Sequence, residues 1–234
     1  MNKKPIGIIC AMDLELEGLL LLMKESEEEK KDGICFFKGY VGDTHVVAAV
    51  CGVGKVNAAI CTRMMIDMYE PSCVINSGVA GALSTEVSVG DVVIATSAVQ
   101  HDYDTTALGE PRAMITLSSG EGIINFPADE VLSERLLRAA EKLSDTRVFR
   151  GVIATGDEFV HLPERRLAIG NAFSALACEM EGGAIAHVCY RANVPFAILR
   201  SISDDLTNNT SMSFDEFKIM AAKKTVDVLS DILK

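Results

Sequence analysis

Apolar runs of strand length alternate along the chain with longer amphipathic segments, and that alternation predicts an α/β fold. Residues 5–12 form a strand by composition (Ile6, Ile8, Ile9, Cys10), and an acidic helix follows over about 13–25. Residues 24–32 read as a solvated charged turn. Residues 34–40 and 44–50 read as a hairpin around Val41-Gly42-Asp43. Gly52-Val53-Gly54-Lys55 opens a helix that runs to Tyr69 and stops before Pro71. Residues 73–76 are a short buried strand that enters the small-residue loop Ser77-Gly78-Val79-Ala80-Gly81, and residues 91–99 are another strand. Residues 100–127 have no clear period and contain Gly109, Pro111, Gly120, Gly122 and Pro127; a loop of that length in a compact domain is usually functional. A helix over 130–143, a strand over 148–155 and a short apolar stretch over 176–178 come next. That stretch leads into Glu179-Met180-Glu181 and a helix over 182–192. Residues 195–201 are the last strand. Ser213-Phe214-Asp215-Glu216 has the form of a capping box opening a helix to Leu233. No repeat, low-complexity stretch or Pro/Gly/Ser linker interrupts the series. Residues 1–234 therefore read as one domain, a central mixed β-sheet with helices on both faces.

Charge removes several function classes. The chain carries 33 acidic against 22 basic residues, a formal net charge of -11. Nucleic-acid and anionic-membrane binding draw on Lys and Arg, so neither partner is expected. No apolar run approaches the roughly 20 residues of a membrane span, and the acidic residues after Lys3-Lys4 do not read as a signal peptide. Seven scattered cysteines without a CxxC read as reduced core residues of a cytoplasmic protein. Four isolated histidines give no metal signal, and no cofactor motif stands out.

Ligands of such folds bind beyond the carboxyl ends of the strands. The exits carry Asp13 and Glu15; Gly52-Val53-Gly54; Ser77-Gly78-Val79-Ala80-Gly81; Gly156-Asp157; Glu179-Met180-Glu181; and Arg200-Ser201-Ile202-Ser203-Asp204-Asp205. One rim thus collects carboxylates, one arginine and glycine-lined backbone, a set able to supply an acid and a base. Each residue also has a purely structural reading. Glu15 is equally readable as an exposed residue on an acidic helix face, Glu179 or Glu181 as a complement to a helix N-terminus, and Asp204 as a turn cap. The Gly52 loop lacks the third glycine of GxGxxG, and Lys55 is not followed by Ser or Thr as in a P-loop. From the residues alone the chain is an acidic-cleft enzyme for a small molecule.

The same exits carry a resemblance. The segments Gly7-Ile8-Ile9-Cys10-Ala11-Met12-Asp13-Leu14-Glu15, Asn76-Ser77-Gly78-Val79-Ala80-Gly81, Thr155-Gly156-Asp157-Glu158-Phe159-Val160, Cys178-Glu179-Met180-Glu181-Gly182-Gly183 and Arg200-Ser201-Ile202-Ser203-Asp204 occur in order along nearly the whole chain. Together they resemble the bacterial 5′-methylthioadenosine/S-adenosylhomocysteine nucleosidases of the purine nucleoside phosphorylase/uridine phosphorylase superfamily. The resemblance implies a nucleoside phosphorylase-like fold. It also implies hydrolysis of the N-ribosidic bond of 5′-substituted adenosines, within methionine salvage and recycling of S-adenosylmethionine by-products. It makes Glu15 the base that activates water and Asp204 the acid toward adenine N7, with Ser203 supporting its carboxyl. Glu181 would bind the ribose hydroxyls, with Met180 against the sugar. Phe159 would stack on adenine while the Val160 backbone reads its edge. Gly81 would line the base pocket, and Arg200 would hold the water and the acidic cluster. Met12, Val53 and Val79 complete the substrate-lining set.

Two positions depart from the pattern. Val79 stands where the family commonly has Ser. The family's aromatic lining of the 5′-substituent pocket is not evident in 100–127, where Leu108, Met114 and Ile115 are the local apolar residues. A phosphorylase would need a basic anion site, and the acidic first exit argues for water instead. A non-catalytic nucleoside sensor would not need the full acid, base and ribose-binding set. The surplus of apolar positions on the Gly54 helix, with Met64, Met65 and Met68, predicts a homodimer.

Overall fold

The computed structural model describes residues 4–206 and 214–234, and side chains of that second stretch from 218 onward. Ser213 of the expected capping box lies outside the described residues. The first half runs β1 (Ile6–Cys10), α1 (Asp13–Leu20), β2 (Lys24–Lys31), β3 (Ile34–Val41), β4 (Thr44–Val50), α2 (Lys55–Tyr69), β5 (Cys73–Ala82) and β6 (Val92–Gln100). After one 3-10 turn at Thr106–Leu108 come β7 (Ile115–Thr116), β8 (Gly122–Ile123), β9 (Asn125–Pro127), α3 (Glu130–Ala140) and β10 (Val148–Thr155). The chain then runs through α4 (Pro163–Phe173), β11 (Ala175–Glu179), α5 (Gly182–Ala192), β12 (Phe196–Asp204) and α6 (Phe214–Leu233).

Among the described residues the main sheet follows the order β11-β10-β6-β12-β5-β1-β4-β3-β2. It is mixed: β1 pairs parallel with β4 and β5, whereas β12 runs parallel to β5 and antiparallel to β6. Its inner strands alternate between two apolar faces, as a pleat buried on both sides must. Ile9, Val47, Ala49 and Val74 pack against Ala58, Cys61 and Met65 of α2 and Ile185 and Cys189 of α5. Their neighbours Ile8, Cys10, Val46 and Ile75 pack against Leu16 and Leu19 of α1, Leu136 of α3 and Leu229 and Leu233 of α6. Each such fully buried aliphatic chain contributes roughly 1.5–3 kcal/mol of transfer free energy.

Several expectations need correction. Residues 24–31 are not a turn but the edge strand β2, antiparallel to β3, and almost every one of its residues is exposed. Apolar alternation cannot mark a strand that faces water on both sides. Helix α1 consequently ends at Leu20, not near 25. Residues 77–81 are not a loop but the second half of β5, laddered to β12 as far as Gly81 and Asp204. Helix α4 has no counterpart in the sequence reading. It buries only Arg166, Ile169 and Gly170, too few apolar positions to show a period, although Pro163 in its first turn is a legible start signal. Met65 is wholly buried, and Met64 and Met68 pack on the core. The exposed apolar residues of α2 are instead Val56 and Ile60.

Candidate active site

Strand β11 pairs parallel with β10 and antiparallel with β5, which closes β5, β12, β6, β10 and β11 into a ring. The exits of β5, β10, β11 and β12 therefore converge beside the exit of β1. There they bound a cavity of about 230 Å³. Met12, Glu15, Val53, Val79, Gly81, Phe159, Val160, Met180, Glu181, Ser203 and Asp204 all line it, and Arg200 stands behind the wall.

Glu15 is 2% exposed, not a surface residue of an acidic helix. It occupies the third position of α1, and its carboxylate reaches back over the helix start. Oε2 accepts from the backbone N–H of Ala11 and Met12, both at 2.9 Å, and Oε1 accepts from the Val79 N–H at 2.9 Å. Three fixed donors suit an acceptor-only carboxylate and leave it one orientation, toward the cavity. Gly78 makes this possible, because a Cβ there would overlap Glu15 Oε1 and Arg200 Nη1.

Arg200, wholly buried at the heart of β12, donates to Glu179 and Asn76 and lies 3.8 Å from Glu181. Burial opposes its charge, and the carboxylates of Glu179, Glu181 and Glu15 more than offset that cost and hold its pKa above the ordinary value. Glu179 caps the start of α5, accepting from the N–H groups of Glu181 at 3.1 Å and Gly182 at 2.7 Å, and from the Thr155 hydroxyl. The helix-terminus reading was thus correct for Glu179. Glu181 faces the cavity instead and accepts one N–H, from Gly54 at 2.9 Å. Burial first, and the neighbouring Glu179 charge second, push its pKa up to about 7.

The Gly54 donor is held by a network at the mouth. The Lys55 N–H donates to Asp157 at 2.8 Å and its ammonium to Asp102 at 2.7 Å, while the Asp157 N–H donates to Asp102 at 2.9 Å. Against the cost of burial, these donors keep Asp102 below the usual carboxylate range. This is what the start of segment 100–127 contributes. The remainder forms the 3-10 turn, a two-stranded hairpin of β7 and β8, and β9 on the edge of β6.

A register shift between Ile202 and Asp204 turns the end of β12 and aims Asp204 into the cavity. Its Oδ1 accepts the Ser203 hydroxyl at 2.8 Å and its Oδ2 is ion-paired with Arg166 of α4. Gly81 opposes it, and a Cβ there would come within 2.9 Å of Oδ2. Arg166 and Gly78 are the residues that sequence reasoning missed. Gly78 lies in the small-residue half of β5, whereas Arg166 sits on the helix without a periodic signal.

The site can deliver and accept protons, bind hydroxyls and surround an aromatic ring with Phe159, Val79 and Met180. Covalent catalysis by cysteine does not fit. Cys178 lies 3.7 Å from His101, but burial pushes the thiol pKa up and the imidazole pKa down, so both are neutral. Among the described residues no group of His, Cys, Asp or Glu could hold a metal ion, and no helix is long and apolar enough to cross a membrane.

The chain is similar to known proteins over nearly its whole length. The phosphorylase superfamily profile matches residues 5–234. The 5′-methylthioadenosine/S-adenosylhomocysteine nucleosidase of Shewanella loihica is 35% identical over 230 residues, covering 98% of each chain. The crystal structure of the nucleosidase of that name from Neisseria meningitidis, in complex with methylthio-immucillin-A, superposes with a TM-score of 0.91 at 35% identity over 99% of each chain. The futalosine hydrolase of Helicobacter pylori superposes with a TM-score of 0.89 at 34% identity, covering 98% of this chain and 97% of its own.

Proposed function

The chain belongs to the phosphorylase superfamily and, within it, to the 5′-methylthioadenosine/S-adenosylhomocysteine nucleosidases, which makes it an N-glycosyl hydrolase of adenosine derivatives, and from that premise we propose how its cleft works and on what. The ribosyl C1′ lies between Glu15 and the purine. Glu15 takes a proton from water as the water attacks C1′. The C1′–N9 bond breaks with its electron pair going to the purine, and Asp204 protonates N7. The sugar becomes cationic in the transition state, so buried carboxylates favour it over the neutral substrate. Glu181 accepts from the ribose hydroxyls, Met180 packs on the sugar, and Phe159 covers adenine while the Val160 backbone meets its edge. Gly81 and Ser203 set the approach and orientation of Asp204. Met12, Val53 and Val79 line the sugar and its 5′-substituent, and Arg200 offsets part of the mutual repulsion of the three carboxylates.

The observation that carries this reading is Glu15: a carboxylate fixed by three N–H donors and facing a cavity of nucleoside chemistry. Water is the nucleophile rather than phosphate because the carboxylates of Glu15 and Glu181 line the cavity, Arg200 behind the wall is paired with Glu179 and Lys55 at the mouth with Asp102. The reading takes residues 1–234 as one domain without a resident cofactor, in the cytoplasm, where seven unpaired cysteines stay reduced. The enzyme would serve methionine salvage and recycling of S-adenosylmethionine by-products. It would work as a homodimer joined through Val56 and Ile60 of α2, which are exposed one turn apart beside the cavity residue Val53.

A panel of 5′-methylthioadenosine, S-adenosylhomocysteine, 5′-deoxyadenosine and futalosine, with 5′-methylthioinosine as the 6-oxo control, tests the substrate class. Adenine release from the 5′-substituted adenosines is expected. Turnover of futalosine alone would overturn the reading.

A further inference from the structure

Arg166 lies outside the cavity wall on α4, is 5% exposed, and spreads one guanidinium over three acceptors. Nε donates to the Val160 carbonyl at 3.0 Å, Nη1 to the Asp205 carbonyl at 3.1 Å, and Nη2 to Asp204 Oδ2. Under the function proposed above, on which this inference rests, Val160 and Asp204 form the two sides of the purine subsite. One side chain therefore ties both sides together from behind. The paired state has a chemical consequence. Both Asp204 oxygens act as acceptors in it, one for Arg166 and one for the Ser203 hydroxyl. An acid that serves N7 must carry a proton, and a guanidinium beside a carboxyl favours the ionised form.

We propose that Arg166 is a positioning residue that holds Asp204 aimed as a carboxylate, and that Asp204 exchanges this ion pair for a proton when the purine binds. In that exchange Arg166 changes partner without changing protonation, and its bonds to Val160 and Asp205 keep it within reach. Asp204 takes one proton from solvent and passes it to N7 as the C1′–N9 electron pair moves into the purine. The carboxylate then returns to Arg166, while Glu15 releases to solvent the proton it took from water, so no net proton is gained or lost. The ion pair with Arg166 thereby competes with the proton that loads the acid. Among the described residues, the other titratable groups that line the cavity with Asp204 are Glu15 of α1, Glu158 from the loop after β10, Cys178 and Glu179 of β11, Glu181 before α5 and Lys218 of α6, and Asp205 follows it in the chain. Arg166 is the one that reaches both the acid and the base-reading backbone.

The test is kcat/KM against pH for wild type, Arg166→Met, Arg166→Gln, Arg166→Lys and Asp204→Asn on 5′-methylthioadenosine, since kcat/KM reports groups of the free enzyme. The wild-type profile should fall on its alkaline side as the acid becomes harder to load. In Arg166→Met and Arg166→Gln that limb should move to higher pH, so the ratio of variant to wild type rises, by up to about tenfold, as pH increases through the limb. Arg166→Lys, which keeps the charge, should return the limb toward wild type. A loss by the same factor at every pH would show that Arg166 only supports the fold, and would overturn the inference. If Arg166→Met does not fold, the Gln and Lys variants carry the same comparison. Full activity in Asp204→Asn would instead sink the assignment of the acid, whatever the Arg166 variants do.

Discussion

The strand exits of β1, β11 and β12 and the edge strand β2 are both rich in carboxylates, yet they behave as opposites. In β2, with the sequence Lys-Glu-Ser-Glu-Glu-Glu-Lys-Lys, nearly every side chain faces water, and Glu27 meets Lys38 across 3.6 Å of screened surface. At the exits Glu15, Glu179 and Glu181 are all at least 94% buried, and each accepts backbone N–H groups. The residue type is the same in both places, and position decides its use. On the edge it keeps an open strand from pairing with another chain. In the cleft it is held in one orientation and is available for chemistry.

The sharpest way to break this contrast is to neutralise one carboxylate in each region. Glu15→Gln keeps size but cannot accept a proton, and its NH2 must face at least one of the N–H donors, so kcat should fall by about 10²–10⁴-fold, while Glu27→Gln should leave kcat unchanged. Equal effects in a steady-state assay would erase the distinction. Next in size are two glycines. Gly78→Ala drives a methyl group into Glu15 and Arg200, and overpacking of this kind costs typically about 1–3 kcal/mol. Gly33, in the β2–β3 turn at φ +85°, has open space around it. Gly33→Ala should therefore cost about 1 kcal/mol from backbone strain alone and leave turnover intact. Denaturant titration with kcat on the same samples separates the two.

A third effect is pH-dependent. The folded pKa of Glu181, about 7, lies above the ordinary glutamate value of 4.5. The folded state thus keeps a proton that the unfolded chain has already lost between those values. The resulting stability is complete below 4.5 and disappears as pH rises through 7. Glu181→Gln lacks this dependence, so its Tm relative to wild type should rise between pH 4.5 and 8. A constant difference would mean that Glu181 titrates normally. The smallest effect belongs to the edge: Lys38→Met, which removes exposed ion pairs to Glu27 and Glu29, should change stability by less than about 1 kcal/mol, and less still in high salt.

The two regions also differ in how far the sequence revealed them. The buried strands were legible because their apolar runs have no other explanation, and the exits followed from those strands. Glu15, Glu181 and Asp204 were legible as polar residues stranded at apolar ends. Strand β2 was not, because its pairing rests on the backbone of β3 and leaves no trace in side-chain pattern. Helix α4 was hidden for a related reason: its main buried side chain is an arginine held by two carbonyls and a carboxylate. An ion pair between residues 38 positions apart has no local signature. Glu179 and Glu181, two positions apart, are told apart only by geometry, since one caps α5 and the other faces the cavity.

The claim that a carboxylate-lined exit uses water as the nucleophile is tested most directly by following adenine release from 5′-methylthioadenosine in phosphate-free buffer and again with phosphate in excess, and identifying the sugar product. Equal rates with an unphosphorylated 5-methylthioribose are predicted. Release that depends on phosphate and yields the sugar 1-phosphate would contradict the assignment of Glu15.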